Sequence, residues 1–188
     1  MNDVRSPQEL TKEAEQQFRI GNLQCALNLY QKALEYYLAV SDQLAIAELK
    51  NNLSVILLRL AQPQDSYNMA FNTDLIFKQY GDRRRQAMAL GNLASACDAL
   101  GKNKEAIRYY QESSDILKEL GEQEMRSYVL QNLANLQLRS GHYLDALLNT
   151  KIALDYKKNL TLKQKFLYWL VKIPFRMLNP DSNQTLSR

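Results

Sequence analysis

The sequence is poor in the residues from which metal sites, disulfide frameworks and most catalytic centres are built. Its 188 residues contain one histidine, His142, and two cysteines, Cys25 and Cys97. The cysteines have no zinc-ligand spacing and form no disulfide pattern, which favours a reducing compartment. A lone histidine with two scattered cysteines leaves no set of residues for nucleophilic or metal-dependent catalysis. We therefore expect a protein that is not an enzyme and that needs no metal and no cofactor.

Long apolar runs and phosphate-binding glycine motifs are also missing. No stretch approaches the roughly 18 apolar residues of a membrane-spanning helix. The first residues, MNDVRSPQEL, lack the apolar region of a signal peptide, and no glycine-rich phosphate motif is present. These absences favour a cytoplasmic location, and the C-terminal sequence leaves peripheral membrane association open as an alternative.

The formal net charge of +4 is unevenly distributed. From residue 156 onward the chain carries seven Lys and Arg and one acid, so the first 155 residues carry 17 basic and 19 acidic groups. A second basic cluster, GDRRRQ at 81–86, is predicted to be a solvated turn, with contact to a phosphate or an acidic partner as the alternative. Nucleic-acid binding is not expected, since no recognition motif accompanies the charge.

One sequence pattern recurs along the chain at a constant interval of about 40 residues. Asn52, Asn92 and Asn132 are each followed by a leucine and a small residue, and each pattern ends at a turn position. Gly101 and Gly141 occupy this turn position, and glycine at a helix end supplies the left-handed C-terminal cap. The sequence shows no alternating strand pattern. Each unit is therefore predicted to be a helix, a short turn, a longer helix and a second short turn, in an all-α fold.

The small residues around the first turn resemble those of the tetratricopeptide repeat. A small residue, a glycine and a second small residue recur as Ala14, Gly21 and Ala26, as Ala94, Gly101 and Ala106, and as Ala134, Gly141 and Ala146. The repeat is longer here than in most of the family, and its length is similar to that in kinesin light chain, the spindle-orientation adaptor Pins and many bacterial repeat proteins. The resemblance implies a right-handed superhelical α-solenoid of four helix–turn–helix units with a C-terminal capping helix.

This register divides the chain into an N-terminal lead, four repeats, a helix and a tail. The predicted boundaries are 1–6 for the lead, 7–46, 47–86, 87–126 and 127–160 for the repeats, 161–178 for an amphipathic capping helix and 179–188 for a disordered tail. Ser6, Pro7 and Glu9 are predicted to form a capping box at the start of the first helix. The second repeat departs most from the family pattern.

Each first helix has an apolar face and a mixed face. The apolar face follows the i, i+4, i+7, i+11 pattern of a core-facing helix; in the second repeat it consists of Leu49, Leu53, Ile56 and Leu60. In tetratricopeptide proteins the first helices line a concave groove, so the resemblance places a partner-binding site on the mixed face. The residues predicted for this site are Glu48, Asn52, Val55, Arg59, Asn92, Ser95, Tyr128, Asn132, Asn135 and Arg139.

The three repeated asparagines allow two interpretations. A side-chain amide offers donors and an acceptor, so one asparagine in each repeat is suited to hydrogen-bond the backbone of an extended peptide, as a ladder of asparagines does in the similar long-repeat families. Specificity would then come from Glu48, Arg59, Tyr128 and Arg139. The alternative is that each asparagine bridges to a neighbouring helix inside the protein.

The segment from 161 to 178 is predicted to be a helix with Thr161 as its N-cap. Its main apolar stripe should pack on the fourth repeat as the cap that solenoids require, and it consists of Leu162, Phe166, Trp169, Leu170 and Ile173. Further apolar residues lie on the far side among basic residues, which is typical of a membrane-surface helix. A membrane or dimer contact is predicted for Lys163, Lys165, Leu167, Tyr168, Trp169, Val171, Lys172, Phe175 and Arg176.

Two functions fit these features. The first is a non-enzymatic adaptor or scaffold that binds a peptide segment of a partner protein in the groove. The second is a peripheral membrane assembly factor or chaperone-like protein, tethered to an anionic membrane by the C-terminal helix while the repeats hold a client. A homodimer through the same helix is an alternative use of that contact.

Overall fold

The computed structural model describes residues 5–155 and 160–178, with side chains described as far as residue 173. Within these ranges every regular element is an α-helix. The helices are α1 (Pro7–Arg19), α2 (Leu23–Ala39), α3 (Gln43–Arg59), α4 (Pro63–Ala70), α5 (Thr73–Gln79), α6 (Arg83–Ala99), α7 (Asn103–Glu119), α8 (Gln123–Arg139), α9 (Tyr143–Asp155) and α10 (Leu162–Leu178). Among the described residues, no helix has the length and apolar character needed to cross a membrane. The predicted disordered tail, 179–188, lies outside the described residues.

Successive helices pair into helix–turn–helix units, as the sequence predicted. α1 packs on α2, α3 on α4, α6 on α7 and α8 on α9. The first helices α3, α6 and α8 begin at Gln43, Arg83 and Gln123, about one turn before the predicted repeat boundaries. The predicted boundaries were counted from the start of α1 at Pro7, and α1 lacks the first turn that the other first helices have. The prediction that second helices are longer is wrong, since α6 and α7 both contain 17 residues.

Residues in the left-handed conformation end successive helices at a constant interval, half the length of a repeat. These positions are Gly21, Ser41, Ala61, Gly81, Gly101, Gly121 and Gly141. At the end of α6 the Gly101 N–H donates to the Asp98 carbonyl at 3.0 Å, and the Lys102 N–H donates to the Cys97 carbonyl at 2.9 Å. This pair of bonds is a Schellman cap and satisfies carbonyls that the helix leaves unpaired. Ala61 ends α3 in the same way, although its Cβ disfavours a positive φ.

The second helix of the second repeat is broken, which the sequence did not predict. α4 ends at Ala70 and α5 begins at Thr73, and Asn72 between them has a φ of 63°. Asparagine tolerates the left-handed conformation better than most residues with a side chain. The Thr73 hydroxyl donates to the Ala70 carbonyl at 2.8 Å and so satisfies one carbonyl at the end of α4. The break leaves Phe71 exposed.

Burial confirms three of the four positions of each predicted core face, and the fourth, at Leu60, Leu100 and Ser140, is half-buried at the helix end. On α3 the side chains of Leu49, Leu53 and Ile56 are at most 2% exposed. The equivalent residues of α6 and α8 are buried as well: Ala89, Leu93, Ala96, Val129, Leu133 and Leu136. The small residues where paired helices cross are also buried: Ala14, Ala26, Ala94, Ala106, Ala134 and Ala146. In the second repeat serines replace them, and the Ser66 hydroxyl donates to the Ser54 carbonyl at 2.8 Å.

The chain divides into two compact units, residues 1–120 and 121–188. The first unit contains α1 to α7. Its first helix begins with the predicted capping box, in which the Glu9 N–H donates to the Ser6 hydroxyl at 3.2 Å and the Ser6 N–H donates to the Glu9 carboxylate at 2.7 Å. The second unit contains α8, α9 and α10. There the predicted N-cap of α10 is confirmed, since the Gln164 N–H donates to the Thr161 hydroxyl at 3.3 Å.

The face that α10 turns toward α9 differs from the prediction. Val171 is 4% exposed, and the Tyr168 hydroxyl donates to the Asp155 carboxylate. The stripe predicted to pack is exposed instead: Leu162, Phe166, Trp169, Leu170 and Ile173. The prediction was based on the main apolar stripe of α10, whereas a narrower contact through Val171 and Tyr168 attaches the helix. Val171 is therefore not accessible for the predicted membrane or dimer contact, and the side chains of Phe175 and Arg176 lie outside the described residues.

Candidate partner-binding surface

The mixed faces of the first helices in residues 1–120 form a surface that we call the first-helix surface. It comprises the exposed side of α1 and the predicted site residues of α3 and α6, and α3 and α6 contact each other. Its predicted members are all exposed or half-buried: Glu48, Asn52, Val55, Arg59, Asn92 and Ser95. The surface is therefore accessible to a partner, and two cavities open on it where α1 and α3 approach each other.

The larger cavity is a cleft of about 260 Å³ between α1, α2 and α3, with both polar and apolar residues in its lining. Its lining residues are Gln8, Thr11, Lys12, Glu15, Tyr37, Ala45, Glu48 and Leu49. Glu48 was predicted as a site residue, but the four residues of α1 were missed. The repeat register contained the signal for three of them, because Gln8, Lys12 and Glu15 hold the repeat positions of Glu48, Asn52 and Val55.

The smaller cavity has a volume of about 120 Å³ and a largely apolar lining. It is formed by Phe18, Tyr30, Asn52, Val55 and Ile56. The guanidinium of Arg59 lies 5.0 Å from the centre of the Phe18 ring, within the range of a cation–π contact. The structure thus brings together three of the predicted site residues of α3, and Asn52 and Tyr30 are the residues with polar side-chain groups in the lining of this cavity.

The carboxylates of Glu15 and Glu48 affect the pKa of Tyr30, which lines the smaller cavity. Burial, and after it the charges of Glu15 and Glu48, raise the pKa of Tyr30 to about 12. The Tyr30 phenol is therefore neutral at all physiological pH values. Glu48 also accepts a hydrogen bond from the Arg85 guanidinium at 2.8 Å, so part of its charge is already balanced.

In the basic cluster at 81–86, Arg83 and Arg84 are exposed and Arg85 is half-buried, whereas Gln86 is buried. Arg83 and Arg85 have acidic partners. Arg83 pairs with Glu119 of α7 at 2.5 Å, and Arg85 pairs with Asp82 at 2.7 Å as well as with Glu48. Each exposed ion pair of this kind contributes at most about 1 kcal/mol to stability. The prediction of a merely solvated turn is thus revised, since the cluster connects α6 to both α3 and α7.

The repeated asparagines of the first unit make different contacts. The Asn92 amide donates to the side-chain carbonyl of Asn51 at 2.9 Å, and Asn51 is only 5% exposed. Asn92 therefore bridges two first helices, which is the structural interpretation. Asn52 lines the smaller cavity instead. The repeat position of Asn51 is occupied by Gly91 in the third repeat, so the bridging partner is not itself repeated.

In the second unit the predicted site residues lie on α8. Tyr128 is 68% exposed, and Asn135 and Arg139 are exposed as well. Asn132 is half-buried. These four side chains follow one face of the helix with the spacing i, i+4, i+7, i+11, and α8 presents that face as the sequence predicted.

The described residues include one histidine, His142, and two free cysteines, Cys25 and Cys97. No group of three or more His, Cys, Asp or Glu among them could hold a metal ion. Cys97 is buried, and burial, followed by the nearby charge of Glu105, raises the pKa of its thiol to about 11. The thiol is therefore protonated at neutral pH and is a poor nucleophile. His142 is exposed in the turn before α9.

The repeat matches a known family over part of the chain. Residues 85–158 match the family model of the tetratricopeptide repeat. This match confirms the repeat that was recognised from the sequence, and the all-α fold class of tandem helix–turn–helix units is confirmed with it. A comparison with curated proteins finds no match.

Several solved structures share the fold. The apo form of RapI has a TM-score of 0.74 and 20% identity over 93% of this chain; a Rap protein complexed with competence and sporulation factor has a TM-score of 0.72 and 17% identity over 92%. Aspartyl phosphate phosphatase F from Bacillus subtilis has a TM-score of 0.74 and 12% identity over 94%. The chain spans 65%, 50% and 46% of these three proteins, respectively. At such identities the likeness shows the fold alone.

Proposed function

We propose that the protein is a non-enzymatic adaptor that binds an extended segment of a partner protein on the first-helix surface. The observation that supports this best is the pair of adjacent cavities between α1 and α3, which contain Glu48, Asn52 and Val55. Repeat proteins commonly bind partners on such exposed repeat faces. The fold also accommodates a bound factor in one structural neighbour, the Rap protein complexed with competence and sporulation factor.

The two cavities differ in the side chains that they would accept. The larger is lined by the carboxylates of Glu15 and Glu48 and by one ammonium group, that of Lys12, so its lining has an excess of acid that suits a basic side chain of the partner. The smaller is lined mainly by apolar groups such as Phe18 and Val55, which suit a small apolar side chain. In this proposal the Asn52 amide hydrogen-bonds the partner's backbone between the two cavities.

The spacing of the cavities sets the spacing of the partner's side chains. Glu48 and Val55 are two helical turns apart on α3, which corresponds to about 10 Å along a helix. A chain in the polyproline II conformation rises about 3.1 Å per residue with three residues per turn, so its side chains i and i+3 project alike about 9 Å apart. We therefore propose a segment with a basic residue and an apolar residue three positions apart.

The proposal is tested with an array of peptides in which one Lys and one Leu are placed two, three or four positions apart. We expect the strongest binding at a separation of three. The Asn52→Ala variant should bind the selected peptide about two- to tenfold more weakly, because it loses one hydrogen bond, while its thermal unfolding stays unchanged. Equal binding at all separations, or unchanged affinity in Asn52→Ala, would contradict the proposal.

Asn92→Ala provides the matched control. This substitution leaves the buried Asn51 amide without its partner, so we expect the free energy of unfolding to fall by about 1–3 kcal/mol. Peptide affinity should remain unchanged, because Asn92 is engaged with Asn51 rather than with the cavities. If Asn52→Ala behaves like Asn92→Ala, the asparagines are structural and the binding role is wrong.

A second candidate function is a peripheral membrane assembly factor, which holds a client on its repeats while attached to a membrane. The exposed apolar stripe of α10 favours it, since a helix that served only as a cap would turn this stripe inward. This function requires both peptide binding and a lipid contact. A variant that loses vesicle binding but keeps its peptide should then fail to bring that peptide to vesicles.

A further inference from the structure

The outer face of α10 is the largest run of exposed apolar side chains on one helix in the described residues. Its members, which we call the outer stripe, are Leu162 (84% exposed), Phe166 (62%), Trp169 (54%), Leu170 (41%) and Ile173 (37%). The rings of Phe166 and Trp169 stack with their centres 6.0 Å apart. A continuous exposed apolar patch of this kind marks an interaction surface rather than ordinary surface composition.

The attachment of α10 to α9 fixes the direction in which this stripe points. Val171 is buried and the Tyr168 hydroxyl donates to Asp155. At about 100° per residue these two side chains project roughly opposite to the centre of the outer stripe. The helix cannot turn the stripe inward without exposing Val171 and breaking the bond to Asp155. The stripe is therefore held outward as part of the folded structure.

The charged residues of α10 itself are all of one sign. Residues 162–178 contain three lysines and one arginine and no acid. Around the helix axis, Lys163 lies about 70° from the centre of the stripe on one side and Lys165 about 90° from it on the other. Both lysines are exposed. Lys172 lies beyond Lys165, with its ammonium 4.0 Å from the centre of the Tyr168 ring. An apolar face with basic residues along both edges is complementary to an anionic lipid surface.

We propose that the outer stripe of α10 lies on an anionic membrane surface, with its apolar side chains at the headgroup boundary and its lysines against lipid phosphates. Trp169 suits this depth, because its ring is apolar and its N–H is polar. A second copy of the chain fits less well. A two-fold contact would place the stripe against itself and bring the lysines of the two copies together.

The inference goes beyond peptide binding on the first-helix surface and does not depend on it. It supplies only the lipid contact that a membrane assembly factor would need. The two surfaces also lie in different units, 1–120 and 121–188, so each can be altered by substitutions that leave the residues of the other intact.

The test uses the full chain with vesicles of phosphatidylcholine alone or of phosphatidylcholine and phosphatidylserine mixed two to one. Trp169 is the only tryptophan, so its fluorescence reports on α10 alone. We expect a blue shift and co-sedimentation with the anionic vesicles and little of either with the neutral ones. Replacing the two edge lysines, Lys163→Gln and Lys165→Gln, should weaken binding about 30-fold, given the usual contribution of a basic residue near an anionic leaflet. These exposed substitutions should leave folding unchanged.

A matched control is Leu144→Ser, which removes an equally exposed leucine from α9 and should leave vesicle binding unchanged. Leu162→Ser together with Phe166→Ser should abolish it. Absence of a shift with anionic vesicles overturns the inference. The inference is also overturned if, without lipid, the fluorescence shifts to the blue as the protein concentration rises and light scattering gives twice the mass of one chain. In that case a second copy of the chain covers the stripe. Equal binding to neutral vesicles would overturn the role of the lysines.

Discussion

Asn92 and Asn52 occupy the same position of successive repeats but make different contacts. The contact is determined by the residue on the neighbouring helix as much as by the asparagine itself. Asn92 is opposite Asn51 and donates to it at 2.9 Å, whereas Asn52 lies beside Phe18 and Tyr30 in a small cavity. A repeated residue therefore has a repeated role only where its surroundings repeat as well.

Ala61 provides a residue-scale prediction. It ends α3 with a φ of 58°, where the other left-handed helix ends of the same series hold Gly or Ser. Ala61→Gly should increase the free energy of unfolding by about 1 kcal/mol, because glycine adopts this conformation without the steric cost that a Cβ imposes. Urea unfolding followed by circular dichroism measures the change.

The equivalent position of the third repeat provides the reverse experiment. A Cβ added at Gly101 would meet no atom within 4 Å, so Gly101→Ala tests backbone conformation alone. We expect it to lower the free energy of unfolding by about 1 kcal/mol. If both substitutions change stability in the same direction, the left-handed cap is not the cause.

At the scale of the helices, α10 buries one narrow face and makes a polar contact with Asp155 beside it. The side of α10 that packs on α9 contains the buried Val171, and the neighbouring Tyr168 hydroxyl donates a hydrogen bond to the Asp155 carboxylate. Burial acts to raise the pKa of Asp155, but hydrogen bonds from Lys151 and Tyr168 outweigh it and hold the pKa below its usual value of 3.8. The ionised carboxylate is thus favoured by the folded state.

This lowered pKa predicts that the attachment of α10 weakens in acid. A carboxyl group with a depressed folded-state pKa stabilises the fold above its unfolded value, near 3.8, and loses that contribution as the pH falls through the folded value. Hydrogen exchange of the α10 amides should therefore accelerate relative to those of α8 below about pH 4. Tyr168→Phe should show faster exchange at neutral pH and a smaller change in acid. An identical pH profile in wild type and Tyr168→Phe would show that this bond does not attach the helix.

The regular elements could be predicted from the sequence because they depend on local patterns that repeat. The repeat register gave the helix pairs, the buried leucines such as Leu53 and Leu93, and the turn glycines. The break at Asn72 could not be predicted, since asparagine is tolerated both within a helix and in the left-handed conformation. The packing face of α10 depends on Asp155 of another helix, and the two cavities depend on how closely α1 and α3 approach, so neither follows from one segment alone.

At the scale of the whole chain, the contacts that hold each unit together are made between helices close in sequence. In residues 1–120 a continuous group of buried side chains includes Leu10 of α1, Tyr30 of α2 and Leu53 of α3. Further along, Phe77 packs with Ala47 and Ala89. Stability in such an array is approximately the sum of the repeats and of the contacts between neighbours.

This organisation predicts that residues 1–120 fold without the remainder of the chain. The fragment keeps α1 to α7, and the ion pair between Arg83 and Glu119 near its end is internal to it. Three repeats are about the minimum for a stable array, so the fragment should show a helical circular dichroism spectrum and one cooperative thermal transition. A fragment of residues 1–80 has only two repeats and ends before α6, which leaves Phe77 without Ala89, and it should be largely unfolded. If 1–120 is unfolded while the full chain is stable, residues 121–188 contribute to the folding of the first unit, and the division into two independent units is wrong.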